Sequence, residues 1–480
     1  MKENAGNTAI KCFLLIITVI CLCLITSSLW QLFHNPSSIL KISGSFYNPA
    51  RNANYLISLI PFLLCGVISP KVLKLSKRFC IIMLITAVLS GFILILAYTR
   101  AAWIGLLFSL YFILLIHYRI SILKRKGLFL IIIIIGMCVG GISIYKLKPQ
   151  SALGRITIWK ISLQMIKDNP VIGVGYGNFH KKYNLYQGNY FGTGKFTKDE
   201  VERADTVRYA YNEILHSISE LGIFGLFLNC CLVYLILKTY VETFKSNNNT
   251  LCFLSNAVLA SFIAITVSGF FSYPFDILPV KIVCFLYLGL YSTTIEEKKS
   301  LAISNTLPYF ISAILTIYGG YLTVDAILKY NAYKDYKNAN NANSMEAIYP
   351  ILIEDTDFIE KYSDLLLREY NYKAVILLLR DRNDLIYPSM LVNLGIAYEA
   401  SSDYIKAEYC YIKAVNMIPN RFYSKYILAT FYLQNGQIEK GMKISTEILT
   451  TKPKIPSKSV EKIKSEIKRL IETQSINKNK

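Results

Sequence analysis

Three features of this sequence are equipped for chemistry. The first lies in YAYNEILHSISELGIFGLF, residues 209–227. Asn212 and Glu213 stand there at the start of an apolar run, where Asn can cap a helix. His216 and Glu220 are four residues apart and so share a helical face. A histidine in that place serves either packing or proton transfer, and the pattern leaves both open. Gly222 and Gly225 follow, three apart, which permits close approach of another element. The second feature is a pair of arginines, Arg100 in AYTRAAWIGLL and Arg155 in GRITIWKISLQMI. A planar guanidinium holds phosphate oxygens in pairs. Arg100 can equally snorkel from the end of an apolar run. The third is an imbalance of charge: over 147–212 ten lysines and arginines, ending at Arg208, stand against five carboxylates.

The elements that must position these residues are mostly apolar. The chain has 480 residues, 53% of them hydrophobic, which points to several membrane spans. Its formal charge of +21 does not indicate nucleic acid, because the cations bracket apolar runs and form no single stripe. Ten of the eleven cysteines lie in or at the ends of apolar runs, with Cys410 alone in the polar tail. No CxxC has a matching partner, so neither a disulfide framework nor a metal site is expected. Apolar runs long enough for a bilayer of about 20 residues per helix fall near 10–31, 54–70, 79–97, 102–118, 127–145, 215–240, 251–271, 279–295 and 308–328, nine in all. The first is longer than the apolar core of a signal peptide and reads as an uncleaved anchor.

The short basic connections KVLKLSKR and HYRISILKRKG belong on the cytoplasmic side. The N-terminus is then cytoplasmic, and 32–53, the turn near Arg100, the long segment 146–214 and everything after 328 lie outside. An outward loop gains nothing from cytoplasmic charge bias, so its surplus of cations asks for another reason. An anionic, lipid-linked ligand supplies one. Within that loop Ile156, Trp159, Leu163 and Ile166 predict an amphipathic helix on the bilayer surface with Trp159 at headgroup depth. Pro170 ends it. PVIGVGYGNF then reads as a tight turn; its glycines alone are a weak phosphate motif.

From about 331 the composition turns polar. Leu394, Gly395, Tyr398, Ala407, Tyr411, Ala414 and Pro419 fall at the spacing of a 34-residue helical repeat of the tetratricopeptide type. A second copy keeps Leu428, Ala429, Tyr432 and Pro453, with Gly441 where the first has Ala407. A worn earlier copy runs through LLLREYNYKAVILLL. Such repeats bind a protein partner or serve only as packing.

Taken in order, TRAAWIG, GRITIWKISLQMIKDNPVIGVGYGNF and NEILHSISELGIFG, around one large outer loop, resemble the O-antigen ligase and O-antigen polymerase superfamily. GSFYNPARNANYLISLIPFLL (44–64) resembles that family's upstream outer segment, and the tail looks like a subgroup with tetratricopeptide repeats. The resemblance implies a membrane glycosyltransferase of the inner-membrane outer leaflet. Such an enzyme moves a glycan from undecaprenyl pyrophosphate to a lipid A core sugar or to another lipid-linked repeat unit, with no cofactor and no metal. It implies that Arg100 and Arg155, with Arg208 at the loop's end, hold the pyrophosphate. The family's histidine before the asparagine is Tyr211 here, so Tyr211, Glu213 and His216 are the candidates for assisting the attacking hydroxyl.

The expectation is therefore an all-α, polytopic helix bundle over 1–330 with an outer catalytic loop at 146–214, and a periplasmic α-solenoid over 331–480. The competing expectation is a non-catalytic membrane scaffold that recruits envelope-assembly proteins through its repeats. A lipid-linked oligosaccharide transporter is disfavoured, because few charges lie in mid-span.

Overall fold

The computed structural model describes residues 2–34, 41–117, 149–245, 248–292, 306–382, 384, 387–453 and 456–478. Its principal helices are α1 (Lys2–His34), α2 (Pro49–Ile68), α3 (Lys77–Leu96), α4 (Arg100–His117), α5 (Pro149–Asp168), α6 (Phe179–Gly192), α7 (Lys198–Arg203), α8 (Glu213–Lys245), α9 (Asn249–Gly269), α10 (Leu278–Ser292), α11 (Thr306–Asn338), α12 (Thr356–Arg368), α13 (Tyr372–Leu379), α14 (Pro388–Ala400), α15 (Tyr404–Met417), α16 (Phe422–Gln434), α17 (Ile438–Thr450) and α18 (Lys458–Lys478). No strand occurs among the described residues.

Six helices among the described residues are long and apolar enough to cross a membrane: Asn7–His34, Pro49–Ile68, Lys77–Leu96, Arg100–His117, Glu213–Lys245 and Asn249–Gly269. Of the nine expected spans, the one at 127–145 lies outside the described residues. The one at 279–295 falls on α10, whose 15 residues make it a shorter apolar helix. Residues 308–328 fall in α11, which is not one of the six.

The chain divides into two compact units. The first comprises 1–175 and 209–298, the second 176–208 and 299–480. The expected outer loop is thus shared between them.

In the first unit α2 and α9 are the most enclosed helices. Asn48 caps α2 by accepting the Ala50 N–H at 2.8 Å, Pro49 opens it, and it stops before Pro70. Side-chain polarity locks these helices together: Asn54 Nδ2 donates to Ser272 Oγ at 3.0 Å, and Ser268 Oγ donates to Asn54 Oδ1 at 2.6 Å. Ser109 Oγ of α4 donates to the Ala260 carbonyl of α9 at 2.7 Å. A Cβ at Gly105 would stand 2.3 Å from the Ala264 carbonyl oxygen, so only glycine lets α4 and α9 meet there.

In the second unit consecutive helices pack in pairs, α14 with α15 and α16 with α17, and α18 closes the end. The small residues foreseen at repeat positions are used. Gly395 lies against the Tyr411 ring, where a Cβ would come within 2.4 Å, and Ala407 and Ala414 are buried. Segment 176–208 folds into this unit. Gln187 Nε2 of α6 donates to the Met417 carbonyl at 2.7 Å, and Asn420 Nδ2 donates to the Glu202 and Ala204 carbonyls at 2.9 Å each.

Candidate active site

α5 buries Thr157, Ile161, Ser162 and Met165 against the first unit and leaves Ile156 and Leu163 exposed. Trp159 does more than sit at a surface, because its indole N–H donates to the Ala210 carbonyl at 2.9 Å. That bond fixes α5 to the strand of chain leading into α8. Tyr211 then takes a positive φ of 53°, an uncommon and strained conformation for a non-glycine residue. The turn that results points its ring at α5, and the Arg155 guanidinium carbon lies 5.4 Å from the ring centroid. Asn212 begins α8 as expected, its Oδ1 accepting the Leu215 N–H at 3.0 Å.

The glycines of GVGYG and of ELGIFG prove to be two halves of one joint. α8 is broken at Gly222, whose φ and ψ of 59° and −146° are not helical. The interrupted backbone groups find partners in the turn after α5. Val174 N–H donates to Ser219 O and Gly175 N–H to Glu220 O, both at 2.9 Å, and Ile223 N–H donates to Pro170 O at 2.9 Å. Main chain meets main chain so closely that a Cβ at Gly173 would stand 2.3 Å from the Glu220 carbonyl carbon. One at Gly222 would stand 2.3 Å from the Val171 oxygen. This supports the turn reading of these glycines.

Arg155 is the cation this arrangement encloses. Burial works first against its charged form; Tyr211 and Tyr273 favour that form, while the like charge of Arg100 opposes it. Arg155 and Arg100 are therefore near enough to repel. Among the described residues no carboxylate pairs with Arg155. Arg100 opens α4 after a turn in which Tyr98 also has positive φ, at 50°, and the Trp103 indole N–H holds that turn through the Leu94 carbonyl at 2.8 Å.

Around Tyr211 stand residues that reading the sequence did not single out. Tyr209 and Tyr273 stack with centroids 4.3 Å apart, and Tyr211 meets Tyr273 edge-on at 5.5 Å. Arg51 donates to the Tyr209 hydroxyl at 3.2 Å and lies 3.6 Å from Asp276. Burial raises the Tyr209 and Tyr273 hydroxyls above the usual phenol range, so both stay protonated donors. A clue was present: Arg51 lies in the polar stretch NPARNANY, and Tyr273 and Asp276 in FSYPFD, each flanked by apolar runs.

The three candidates for the proton acceptor are placed as follows. Tyr211 faces Arg155. His216 Nδ1 faces the Ala210 N–H at 3.5 Å, and its Nε2 lies 3.6 Å from the buried Glu220 Oε1. Glu213 Oε1 accepts the Phe275 N–H at 2.8 Å. Arg208 belongs to the second unit, where it lies 3.7 Å from Asp357. Among the described residues no group of three or more His, Cys, Asp or Glu side chains has the geometry to hold a metal ion.

Residues 85–230 match the family model described as O-antigen ligase. The match spans Arg100, Arg155, Tyr211, Glu213, His216, Glu220 and both glycines of the joint. It supports glycan transfer of the O-antigen ligase type and, with the six apolar helices, a multi-pass membrane protein. Arg51, Tyr273 and Asp276 lie outside the matched region. No curated protein matches the chain.

Proposed function

We propose that this protein transfers a glycan from undecaprenyl pyrophosphate to an acceptor sugar at the outer face of the inner membrane, as a surface-polysaccharide ligase or polymerase. The acceptor is a lipid A core or a second lipid-linked repeat unit. The observation that carries the reading is Arg155: a largely enclosed guanidinium with no carboxylate partner, close enough to Arg100 for mutual repulsion. An anion placed between them relieves that repulsion. In the reaction the acceptor hydroxyl oxygen bonds to the anomeric carbon while the bond from that carbon to the pyrophosphate oxygen breaks. Negative charge gathers on the departing pyrophosphate, where fixed guanidinium groups stabilise the transition state most. The hydroxyl proton goes to Glu213. Its Oε2 has no hydrogen bond among the described residues, whereas both His216 nitrogens face protein groups. Arg208, balanced by Asp357, is left out of this anion site.

The test is a purified Arg155→Ala protein assayed with lipid-pyrophosphate-linked glycan. Transfer should fall by about 10²–10³, with partial recovery in Arg155→Lys. A well-folded Arg155→Ala protein that keeps full transfer would sink the reading. Deleting the gene separates the two activities: core plus one repeat unit marks a polymerase, and bare acceptor with accumulated lipid-linked polymer marks a ligase.

A further inference from the structure

One other place gathers side chains suited to recognition, and it lies within the second unit. His180 of α6, Arg208, Asp357 of α12 and Tyr387 ahead of α14 meet there from four distant stretches of sequence. Arg208 Nη2 lies 3.7 Å from Asp357 Oδ2 and donates to the Tyr387 hydroxyl at 3.4 Å; that hydroxyl donates to Asp357 Oδ1. The His180 and Tyr387 rings meet edge-on with centroids 6.2 Å apart. His180 Nδ1–H donates to the Val207 carbonyl at 2.9 Å, which fixes the ring behind Arg208 and leaves Nε2 as an acceptor. Nε2 is buried without a hydrogen-bond partner among the described residues.

The chemistry differs from that around Arg155. Arg208 and Asp357 balance each other, and their side chains are 57% and 56% exposed, so remaining donors and acceptors face outward. Asp355 and Glu360 on either side of Asp357 accept from Tyr333 and Ser389. A free phosphate would meet three carboxylates here. A neutral ligand rich in hydroxyls would meet alternating donors and acceptors beside an aromatic ring, the set that fixes a sugar.

We propose that Arg208, Asp357 and Tyr387, backed by His180, form a binding site for a neutral stretch of the glycan chain; the choice of ligand rests on the glycan-transfer reading. The test uses the full-length protein in nanodiscs and, as probe, the deacylated surface polysaccharide released by mild acid from the organism that encodes it. Binding is read by calorimetry. Wild type should bind, and Asp357→Asn, Tyr387→Phe and Arg208→Gln should each weaken binding at least about tenfold with the thermal midpoint kept. Inorganic pyrophosphate should not compete. Absent binding by wild type, equal binding by correctly folded variants, or competition by pyrophosphate would each overturn the proposal. Arg155→Ala keeps the two readings apart. It should bind the polysaccharide normally while losing transfer; retained transfer alongside weakened binding in Asp357→Asn would defeat the transfer reading alone.

Discussion

Arg155 and Tyr211 are joined by a cation–π contact, and the backbone strain at Tyr211 is what aims the ring. Trp159 holds that arrangement through a single hydrogen bond to Ala210. Trp159→Phe keeps the ring and removes the bond, so it should cost about 1 kcal/mol of stability and lower transfer without abolishing it. Thermal unfolding and a turnover assay on one preparation check both. Glu213→Gln should lower turnover by about 10²–10⁴ with substrate affinity little changed, whereas a larger loss in His216→Gln would move the proton to the histidine. His180 makes a pH prediction. Burial holds its imidazole below the ordinary value of 6.5, aided by Arg208 and Lys181 and opposed by the Val207 carbonyl and Asp357. The unfolded chain therefore takes up the proton first as pH falls. Stability of the second unit should be full above about 6.5 and decline below it, a decline that His180→Gln removes in a thermal melt series. Reading the sequence caught residues whose partners are local, such as the Asn212 cap and the His216–Glu220 pair four residues apart. It missed Arg51 and Tyr273, whose partners lie 158 and 64 or fewer residues away, because spacing along a chain carries no trace of such meetings.

Among the elements, the joint between α8 and the turn after α5 decides where the site residues stand. It carries Arg155 on one side and His216 and Glu220 on the other. A methyl group at Gly173 or Gly222 meets backbone that cannot swing away, and both residues have positive φ. Gly173→Ala and Gly222→Ala should each cost more than about 2 kcal/mol, seen as a lower thermal midpoint and a poor yield of folded protein. Gly177→Ala is the comparison: its φ is also positive, but nothing lies near its Cβ, so a milder effect is expected. The amphipathic period of α5 and the stop at Pro170 were legible, since both are local. The break inside α8 was not. Glycine in an apolar helix reads equally as close packing, and only the partner turn shows which use it has.

For the whole molecule, the division into two units follows contacts that composition hides. Residues 176–208 are as polar as their neighbours, yet Gln187, Asn420 and the packing of α6 on α15 make them part of the second unit. Removing 342–480 should therefore do more than delete a tail. It should expose Phe191 and Met417's docking surface on α6 and open 176–208 to proteolysis, which limited digestion and mass spectrometry would map. The repeat spacing was readable because small residues recur at fixed positions. The shared loop was not, because the side chains that claim it lie more than 200 residues further on.

The joint at Gly173 and Gly222 is made by peptide groups alone, and that predicts an uneven tolerance to change. Val174, Leu221 and Ile223 offer it only their amides and neighbours' carbonyls, so a saturation library should accept many replacements there. The same library should return almost nothing but glycine at 173 and 222, two positions 49 residues apart whose fates are tied without a side chain passing between them.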